Sequence, residues 1–415
     1  MPNQKQTLKE KKHIVILGGG FAGVRAALDL GEYFKRDDAY EIILIDKKDY
    51  HLYHAALYEA ATAQHGLVEA SQVKRAVVIP FGSILKRSKV KHFKAFIDHV
   101  DLDDGKVVTD SRIVYFDYLV TAMGSVSDYY GIQGMDKYAF TLKSLDDAIM
   151  IRNRIEELVS KKDKGDIVIG GGGFAGVEFA GEVYNLLKHE CEYHKKDLAK
   201  FSVTILEGSS NYLPGLSEKV SKLAAERLAK QNVQGKFSSI ITEVGSNYVV
   251  LNEKDRIDFD LLIWTGGVRS CVLPFSEKLE QDKKGRTVVN EFLNIRKYPN
   301  VFIVGDNVCF IDKLTKSPAP QTAQEAIRQG RLAAKNIYRL VRGKELLPYH
   351  AGPSRYVIPV SGKYAIMYTK NLIIAGFFGW MIRRFVDLRY FVSVLTFIKA
   401  LKLWLSETSV FMKND

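Results

Sequence analysis

The sequence predicts an α/β protein, because the same strand–turn–helix–strand pattern occurs in it twice. His13 to Leu17 is a short β-rich apolar run that leads through a glycine-rich turn into a helical stretch reaching about Tyr33. A second such strand, Asp166 to Ile169, precedes another glycine-rich turn that begins 153 residues after the first. This separation is too long for a solenoid repeat, and it favours two separate Rossmann-like domains that each bind a nucleotide.

The two turns both fit the pattern G-x-G-x-x-G. Its glycines are Gly18, Gly20 and Gly23 in the first turn and Gly171, Gly173 and Gly176 in the second. The first glycine permits the tight turn, the second lets a pyrophosphate approach the backbone, and the third allows close helix–strand packing. The following helix offers free N–H groups to the anion. Two such loops in the expected context favour two bound dinucleotides over glycine turns without a ligand.

An acidic residue ends the strand that follows each loop. Asp46 comes directly after the strand Glu41 to Ile45, and Glu207 directly after Ser202 to Leu206. A carboxylate at this position accepts hydrogen bonds from ribose hydroxyls. No Arg or Lys stands among the four residues after Glu207, so nothing cationic is adjacent to bind a ribose phosphate. The second loop is therefore predicted to bind NADH rather than NADPH.

Three further strand-like runs each end near a glycine. They are Tyr118 to Ala122 before Gly124, Leu261 to Thr265 before Gly266, and Val301 to Val304 before Gly305. The last one continues into Asp306, and a strand that ends in Gly-Asp matches the third signature of flavoproteins that bind two dinucleotides. There the aspartate binds the ribityl chain of FAD, which predicts that the first loop holds FAD. An ordinary aspartate at a strand end is the alternative.

The composition of the chain and the distribution of its residues exclude several classes of protein and of site. The 415 residues carry 60 Lys and Arg against 48 Asp and Glu, a net charge of +12 that favours an anionic partner. Met1 to Lys12 is polar and is not a secretory signal. The longest apolar run, Leu372 to Ile382, is shorter than the roughly 18–20 residues of a spanning helix. The three cysteines form no C-x-x-C pair, so neither a redox disulfide nor a zinc site is suggested.

Beyond these elements the sequence resembles the type II NADH dehydrogenases, single-subunit NADH:quinone oxidoreductases, over nearly the whole chain. The resemblance rests on residues 49–53 and 57–62 on the flavin side, 116–124, 142–148, 263–269 and 322–330. Residues 322–330 are similar to the quinone-side A-Q-x-A-x-Q helix start and are the most discriminating. The chain departs from the family at Ala55 (often proline), Met123 (usually threonine) and Arg328 (the last glutamine of that pattern).

The resemblance implies a glutathione-reductase-like fold and a three-part chain. Residues 12–135 and 271–350 would form a discontinuous FAD-binding domain, 136–270 an NADH-binding domain, and 351–415 a C-terminal membrane-anchoring module. Hydride would pass from NADH to FAD, and two electrons would then reach a membrane quinone, menaquinone or ubiquinone, without proton pumping. The resemblance places such an enzyme on the cytoplasmic face of the cell membrane as a peripheral protein. A homodimer is left open.

The resemblance also implies roles for individual residues. Glu178 and Gln324 are the candidate catalytic residues, and Gln324 and Arg328 the candidate quinone contacts. Candidate FAD contacts are Gly18, Gly20, Phe21, Ala22, Gly23, Asp46, Lys47, Gly124, Asp306, Ala323 and Gln324. Candidate NADH contacts are Gly171, Gly173, Phe174, Ala175, Gly176, Glu178, Glu207 and Gly267. Alternatively, Glu178 is a first-turn acid favoured by the helix dipole, Gln324 a plain helix residue, and Arg328 a solvent-facing cation.

The tail is predicted to form an amphipathic helix from Phe391 to Leu405. Its polar stripe would consist of Ser393, Thr396, Lys399 and Lys402, and Arg383, Arg384 and Arg389 would flank it on the N-terminal side. A wide apolar face with cationic flanks is typical of a helix in the interface of an anionic membrane. Packing on the FAD domain or in a dimer interface is the alternative.

Three other functions share part of this pattern. A soluble flavin reductase of the ferredoxin- or rubredoxin-reductase type has both loops but does not need the tail. Sulfide:quinone reductases use paired redox cysteines, and Cys191, Cys271 and Cys309 lack their spacing. A non-catalytic, redox-sensing flavoprotein would also bind both nucleotides. The lysines are dispersed along the chain, so nucleic acid is not expected as a partner.

Overall fold

The computed structural model describes residues 11–64, 70–312, 316–352 and 355–412. The first ten residues of the polar start therefore lie outside the described part. The chain divides into two compact units. Unit 1 comprises the described residues of Met1–His51, Ile79–Val126 and Val268–Gly352, and unit 2 those of Leu52–Val78, Ser127–Gly267 and Pro353–Asp415.

The helices of the described part are α1 Phe21–Tyr33, α2 Leu57–Ala61, α3 Ala70–Val77, α4 Phe81–Ile84, α5 Met135–Tyr138, α6 Leu145–Lys161, α7 Phe174–Tyr193, α8 Glu218–Lys230, α9 Ala323–Val341, α10 Phe377–Val394 and α11 Phe397–Met412.

The strands are β1 Lys12–Leu17, β2 Tyr40–Asp46, β3 Tyr50–Leu52, β4 Val78–Pro80, β5 Lys91–Lys94, β6 Ile97–Asp101, β7 Lys106–Thr109, β8 Ile113–Tyr115, β9 Tyr118–Thr121, β10 Ser125–Ser127, β11 Phe140–Thr141, β12 Gly165–Gly170, β13 Phe201–Leu206, β14 Val233–Lys236, β15 Ile241–Val244, β16 Tyr248–Leu251, β17 Asp255–Asp258, β18 Leu261–Trp264, β19 Val268–Ser270, β20 Thr287–Val288, β21 Asn294–Ile295, β22 Tyr298–Ile303, β23 Val308–Cys309, β24 Tyr356–Pro359, β25 Ala365–Tyr368 and β26 Ile373–Gly376.

Unit 1 is built on a six-stranded sheet with the order β21-β22-β9-β1-β2-β5. All neighbours pair in parallel except β21 and β22, and the central strand β1 is completely buried from Ile14 to Leu17. The helices α1 and α9 pack against each other, with Tyr33 stacked on Tyr338 at 5.1 Å between ring centroids. Because parallel strands end at the same edge, the loops after β1, β2, β9 and β22 meet there.

Unit 2 contains a second parallel sheet, with the order β11-β18-β12-β13-β14. A three-stranded antiparallel sheet, β15-β16-β17, adds to its core. The long helix α6 begins in a capping box, in which the Ser144 side chain and the Asp147 carboxylate each accept a backbone N–H. The α/β prediction with two Rossmann-like parallel sheets is confirmed, and the C-terminal residues form the sheet β24-β25-β26 and two helices in unit 2.

The predicted single helix from Phe391 to Leu405 is wrong. Helix α10 ends at Val394, Leu395 adopts an extended conformation with φ −125° and ψ 167°, and α11 begins at Phe397. The Ser393 hydroxyl donates to the Tyr390 carbonyl at 2.7 Å, a local bond that competes with continuation of the helix. The predicted polar stripe of four residues is therefore divided between two helices. In the described part of the chain, no helix is both long and apolar enough to span a membrane.

Candidate functional sites

The first glycine loop connects β1 to α1 in unit 1. Gly18 has a φ of +93°, and a Cβ there would clash with the Ala122 backbone, so this turn requires glycine. Gly23 packs against the Gly18 carbonyl, which brings the helix close to the strand. A Cβ at Gly20, in contrast, would meet no protein atom within 4 Å. The space beside the helix start is open where a pyrophosphate would approach, and the residues present fit a dinucleotide.

The second loop, between β12 and α7 in unit 2, has the same three environments. Gly171 has a φ of +103° and lies against the Gly266 backbone, and Gly176 packs on the Gly171 carbonyl. Gly173 again has nothing within 4 Å of an added Cβ. Two loops far apart in sequence thus show the same division into one turn glycine, one glycine beside open space and one packing glycine, and both fit a dinucleotide.

The acids at the strand ends are held by the loops of their own units. The Asp46 carboxylate accepts the Gly19 N–H at 2.6 Å and the Lys48 N–H at 2.8 Å. In the same way, the Glu207 carboxylate accepts the Gly172 N–H at 2.6 Å and the Ser209 N–H at 2.7 Å. These backbone bonds fix the orientation of each carboxylate next to its loop, where ribose hydroxyls would bind.

The Gly-Asp turn after β22 closes the first site. Gly305 has a φ of +75°, and the Asp306 carboxylate accepts the Ser125 hydroxyl at 2.6 Å. The Asn307 side chain accepts the Gly124 N–H at 2.9 Å and donates to the Gly124 carbonyl at 3.0 Å. The predicted residues Gly124 and Asp306 are therefore brought together by Asn307. Sequence reasoning missed this residue, although its position directly after the Gly-Asp signature was an available signal.

Helix α9 begins at Ala323, beside this turn. Gln321 donates to the Asp306 carbonyl at 3.0 Å, and Gln329 accepts the Gly305 N–H at 2.7 Å, so the first turns of α9 are tied to the Gly-Asp turn. Ala323 is half-buried and Gln324 is exposed. Gln324 is therefore accessible at the start of a helix that is tied to the turn of Asp306, the predicted ribityl-binding residue.

Arg328 has partners within unit 1. Its guanidinium donates to the Glu325 carboxylate at 2.5 Å and lies so close to Gly352 that a Cβ added there would displace it. Glu325 also accepts the Tyr349 hydroxyl and the Gly352 N–H, the latter at 3.1 Å. The solvent-facing alternative for Arg328 thus describes only part of the side chain, which is half-buried.

Other predicted contact residues surround the loops. In unit 1, Phe21 meets the His51 ring edge-on at 5.0 Å, Ala22 is buried, and Lys47 is exposed. In unit 2, Phe174 is 38% exposed with its ring 5.0 Å from that of Tyr356. Ala175 is exposed as well. Gly267 accepts the Asp128 N–H at 3.0 Å.

Glu178 lies on α7 in unit 2. The helix begins at Phe174, so Glu178 is its fifth residue, and the alternative of a first-turn acid does not apply. Burial raises the pKa of Glu178 to about 8, and the charges of Glu59 and Asp387 act in the same direction, while Arg383 acts against it. A carboxyl with this pKa holds its proton at neutral pH and can donate it.

Four charged residues of the tail form a buried cluster, and sequence reasoning placed two of them wrongly. Arg383 and Arg384 do not flank the apolar face as solvated cations: they are 8% and 5% exposed, whereas Arg389 is exposed. Asp387 and Glu407, both fully buried, pair with them. The signal for this pairing was the presence of one acid in each of two otherwise apolar and basic segments, residues 377–394 and 397–412, since acids of this kind are buried only when paired.

The sequence of this chain is similar to those of known oxidoreductases. Residues 12–330 match the family described as pyridine nucleotide-disulphide oxidoreductase. A type II NADH:quinone oxidoreductase of Staphylococcus aureus is 33% identical over 347 residues, which cover 81% of this chain and 84% of that protein.

Two solved structures are similar over most of the chain. NDH2 from Plasmodium falciparum in complex with NADH superposes with a TM-score of 0.84 at 18% identity, covering 97% of this chain and 99% of that one. The sulfide:quinone oxidoreductase of Aquifex aeolicus does so with a TM-score of 0.73 at 18% identity, covering 96% and 92%. At such identities these two likenesses establish the fold alone.

Proposed function

This chain belongs to the pyridine nucleotide-disulphide oxidoreductases and, within them, to the type II NADH:quinone oxidoreductases, and on that premise we propose that it transfers two electrons from NADH to a membrane quinone without pumping protons. The enzyme is an FAD-dependent oxidoreductase that uses NADH. The observation that carries the proposal is the pair of matched loops, each with an open second glycine and a carboxylate anchored by the loop backbone.

The residues of unit 1 would hold FAD. The α1 N-terminus would receive the pyrophosphate, Asp46 a ribose, and Asp306 the ribityl chain. When bound, FAD accepts a hydride from reduced nicotinamide and passes two electrons on to a quinone. The chain itself binds and orients the partners, and Glu178 holds a proton that the quinone requires on reduction.

The residues of unit 2 would hold NADH in the same manner. Glu207 offers its fixed carboxylate to the adenosine ribose, and a phosphate at that position would be repelled by it. In anaerobic stopped-flow measurements, NADH should bleach the bound flavin much faster than NADPH does. Reoxidation by menaquinone and ubiquinone analogues then tests the second half of the reaction. A flavin that NADH reduces but neither quinone reoxidises would contradict the proposed acceptor.

Gln324 is the proposed quinone contact, and its removal is expected to separate the two half-reactions. Gln324→Ala should slow flavin reoxidation by quinone by about 10-fold, the effect of one lost hydrogen bond of roughly 1–1.5 kcal/mol. Flavin reduction by NADH should change little. Lys335→Ala, at another exposed position of α9, is the matched control. Equal slowing of both half-reactions would contradict the assignment.

We propose that α10 and α11 bind the cytoplasmic face of the membrane, and their exposed apolar side chains support contact with lipid. Their exposed fractions are 70% for Phe378, 58% for Phe385, 64% for Phe397 and 68% for Ile398. Lys399 and Lys402 on α11 are exposed as well and would meet anionic headgroups. A soluble protein rarely exposes so many large apolar side chains to water. A helix that lies in the membrane interface would bury them in lipid, where the quinone is dissolved.

Replacing three of these phenylalanines should release the protein from lipid. Phe378→Ser, Phe385→Ser and Phe397→Ser together should weaken binding to anionic liposomes by more than about 10-fold, because burying one phenylalanine contributes roughly 1.5–3 kcal/mol. Flotation measures the bound fraction, and Phe96→Ser, at a position 56% exposed in unit 1, is the control. Unchanged flotation together with a loss of dimers in sedimentation would favour a homodimer interface instead.

A further inference from the structure

A cluster of charged side chains is buried in unit 2, and its described members include more carboxyl groups than cations. Its carboxyl groups belong to Glu59, Glu178, Asp387 and Glu407, and its guanidinium groups to Arg383 and Arg384. Two guanidinium charges can balance only two carboxylates. Because an uncompensated buried charge is costly, at least two of the four carboxyl groups should retain protons near neutral pH.

The contacts show which carboxyl groups the arginines satisfy. Arg383 and Arg384 both pair with Asp387, at 2.9 and 3.3 Å, and Arg384 also pairs with Glu407 at 2.8 Å. Asp387 accepts the Tyr53 hydroxyl in addition. Both arginines thus pair with the fully buried acids of the tail, and Arg384 also donates to the Thr408 hydroxyl. Burial and the Asp387 charge nevertheless hold the pKa of Glu407 well above its ordinary value. Among the described residues, neither Glu59 nor Glu178 forms an ion pair with these arginines.

Glu59 has one oxygen that needs a proton. Its Oε1 accepts the Tyr58 hydroxyl at 2.6 Å, whereas its Oε2 is buried and has no hydrogen-bond partner among the described residues. A buried carboxylate oxygen without a donor is unfavourable, and protonation removes its charge. The side chains of Glu59 and Glu178 are half-buried, whereas those of Asp387 and Glu407 are fully buried, so Glu59 and Glu178 lie closer to solvent than the other two acids.

The surroundings of Glu59 act on its pKa from several elements. Burial raises the pKa of Glu59 to about 7, and Asp387 on α10 acts in the same direction. Arg384, the Tyr58 hydroxyl and Arg383 act against it.

The other helices packed against α2 also carry charged side chains. Glu178 on α7 faces the cluster. On α6, Arg152 donates instead to the carbonyls of Ala63 and Gln64, and on α3, Lys74 and Arg75 are exposed. From α11, Glu407 faces the cluster, and its Oε1 lacks a hydrogen-bond partner among the described residues.

We propose that Glu59 is the residue that resupplies Glu178 with a proton during quinone reduction. Glu59 acts through Glu178 and touches no substrate itself. The inference rests on the proposed quinone activity. NADH brings two electrons and one proton as hydride, and a quinol needs two electrons and two protons, so each turnover takes one proton from solvent. Glu178 gives its proton to the quinone oxygen, Glu59 gives its proton to Glu178, and solvent reprotonates Glu59.

The sign of the pH dependence follows from this order. Glu59 supplies a proton only while it is protonated, so the rate of flavin reoxidation by quinone should fall as pH rises through about 7, before Glu178 itself deprotonates near 8. Glu59→Gln should remove the transition near pH 7 and slow this half-reaction by up to about 100-fold, the lower end for a positioned proton-transfer group. Flavin reduction by NADH should be unaffected.

Infrared spectroscopy measures the protonation of Glu59 directly and does not require enzyme turnover. In the infrared spectrum of the flavin-loaded enzyme in D₂O, the carbonyl band of protonated carboxyl groups should lose intensity between pH 6 and 8 as Glu59 deprotonates, on the order of one pH unit either side of its pKa. Glu59→Gln should abolish that titration. Glu59→Asp, which keeps the carboxyl group, should restore it and part of the rate. Glu192→Gln, at an exposed position of α7, is the matched control.

The outcomes separate this inference from the proposed function. A titrating band near pH 7 that persists in Glu59→Gln overturns the inference, even where quinone reduction is normal. So does a variant that lacks the band but keeps the wild-type pH profile. Failure of the wild-type enzyme to reduce any quinone overturns the proposed function instead, and the infrared titration of Glu59 still reports whether the residue stores a proton.

Discussion

Gly20→Val should give a folded protein that no longer holds FAD. Gly20 has φ −74° and ψ −167°, an extended conformation that valine adopts easily, and an added Cβ would meet no protein atom within 4 Å. The new methyl groups would instead occupy the space that the pyrophosphate needs. Losing two charge-assisted hydrogen bonds of about 1.5–3 kcal/mol each would weaken FAD binding by on the order of 100-fold or more.

The matched change in the second loop should have a different outcome. Gly173 has φ −73° and ψ −165° and the same open surroundings. Gly173→Val is therefore expected to retain the flavin and its absorbance but to lose reduction of that flavin by NADH. Dithionite should still bleach the flavin in this variant, which separates failed NADH binding from a damaged flavin site.

Absorbance of the purified variants and their thermal unfolding measure these effects together. Both variants should unfold near the wild-type temperature when all are compared without cofactor. An apoprotein from Gly20→Val that fails to fold would show that this glycine has a structural role instead. Normal NADH-driven bleaching in Gly173→Val would contradict the assignment of the second loop.

Asp387→Ala should be among the most destabilising single substitutions in unit 2. The Asp387 side chain is fully buried, and it receives the Arg383 and Arg384 guanidinium groups and the Tyr53 hydroxyl. Its removal leaves two guanidinium charges buried with one ion-paired acid, and breaking a buried ion pair in this way costs about 3–5 kcal/mol. Urea denaturation should show the loss as a lower transition midpoint.

A surface ion pair in the same unit provides the control. Asp258 pairs with Arg256 at 3.0 Å, but its side chain is 71% exposed. Asp258→Ala should change the free energy of unfolding by no more than about 1 kcal/mol, because solvent screens an exposed pair. Equal effects of the two substitutions would mean that the buried cluster contributes no more to stability than a surface pair does.

The two nucleotide loops could be predicted from the sequence because their requirements are local. A positive φ at Gly18 and Gly171, a short helix–strand distance at Gly23 and an acid at the next strand end all fall within one strand–turn–helix–strand segment. The fold class follows from them, since parallel strands joined by helices have few topologies. The prediction for Asp306 also rests on a local signal, a strand that ends in Gly-Asp.

The structure of the tail could not be predicted in the same way. Its composition suggested one amphipathic helix with solvated arginines, but a hydroxyl-to-carbonyl bond at Ser393 accompanies its end, and Arg383 and Arg384 turn inward. Whether an arginine faces lipid, water or an acid depends on which distant residue packs against it. Glu407 lies 23 residues from Arg384, and nothing in the local pattern joins them.

The sequence by itself therefore determined the fold, the two dinucleotide loops and the acids that accompany them, since each depends on residues close together in the chain. Only the tertiary structure decided the state of the charged groups. It placed Glu59, Glu178, Asp387 and Glu407 around two arginines, and it tied Arg328 to Glu325. Burial and pairing set the cost of a charge, and both are properties of residues brought together from distant parts of the chain.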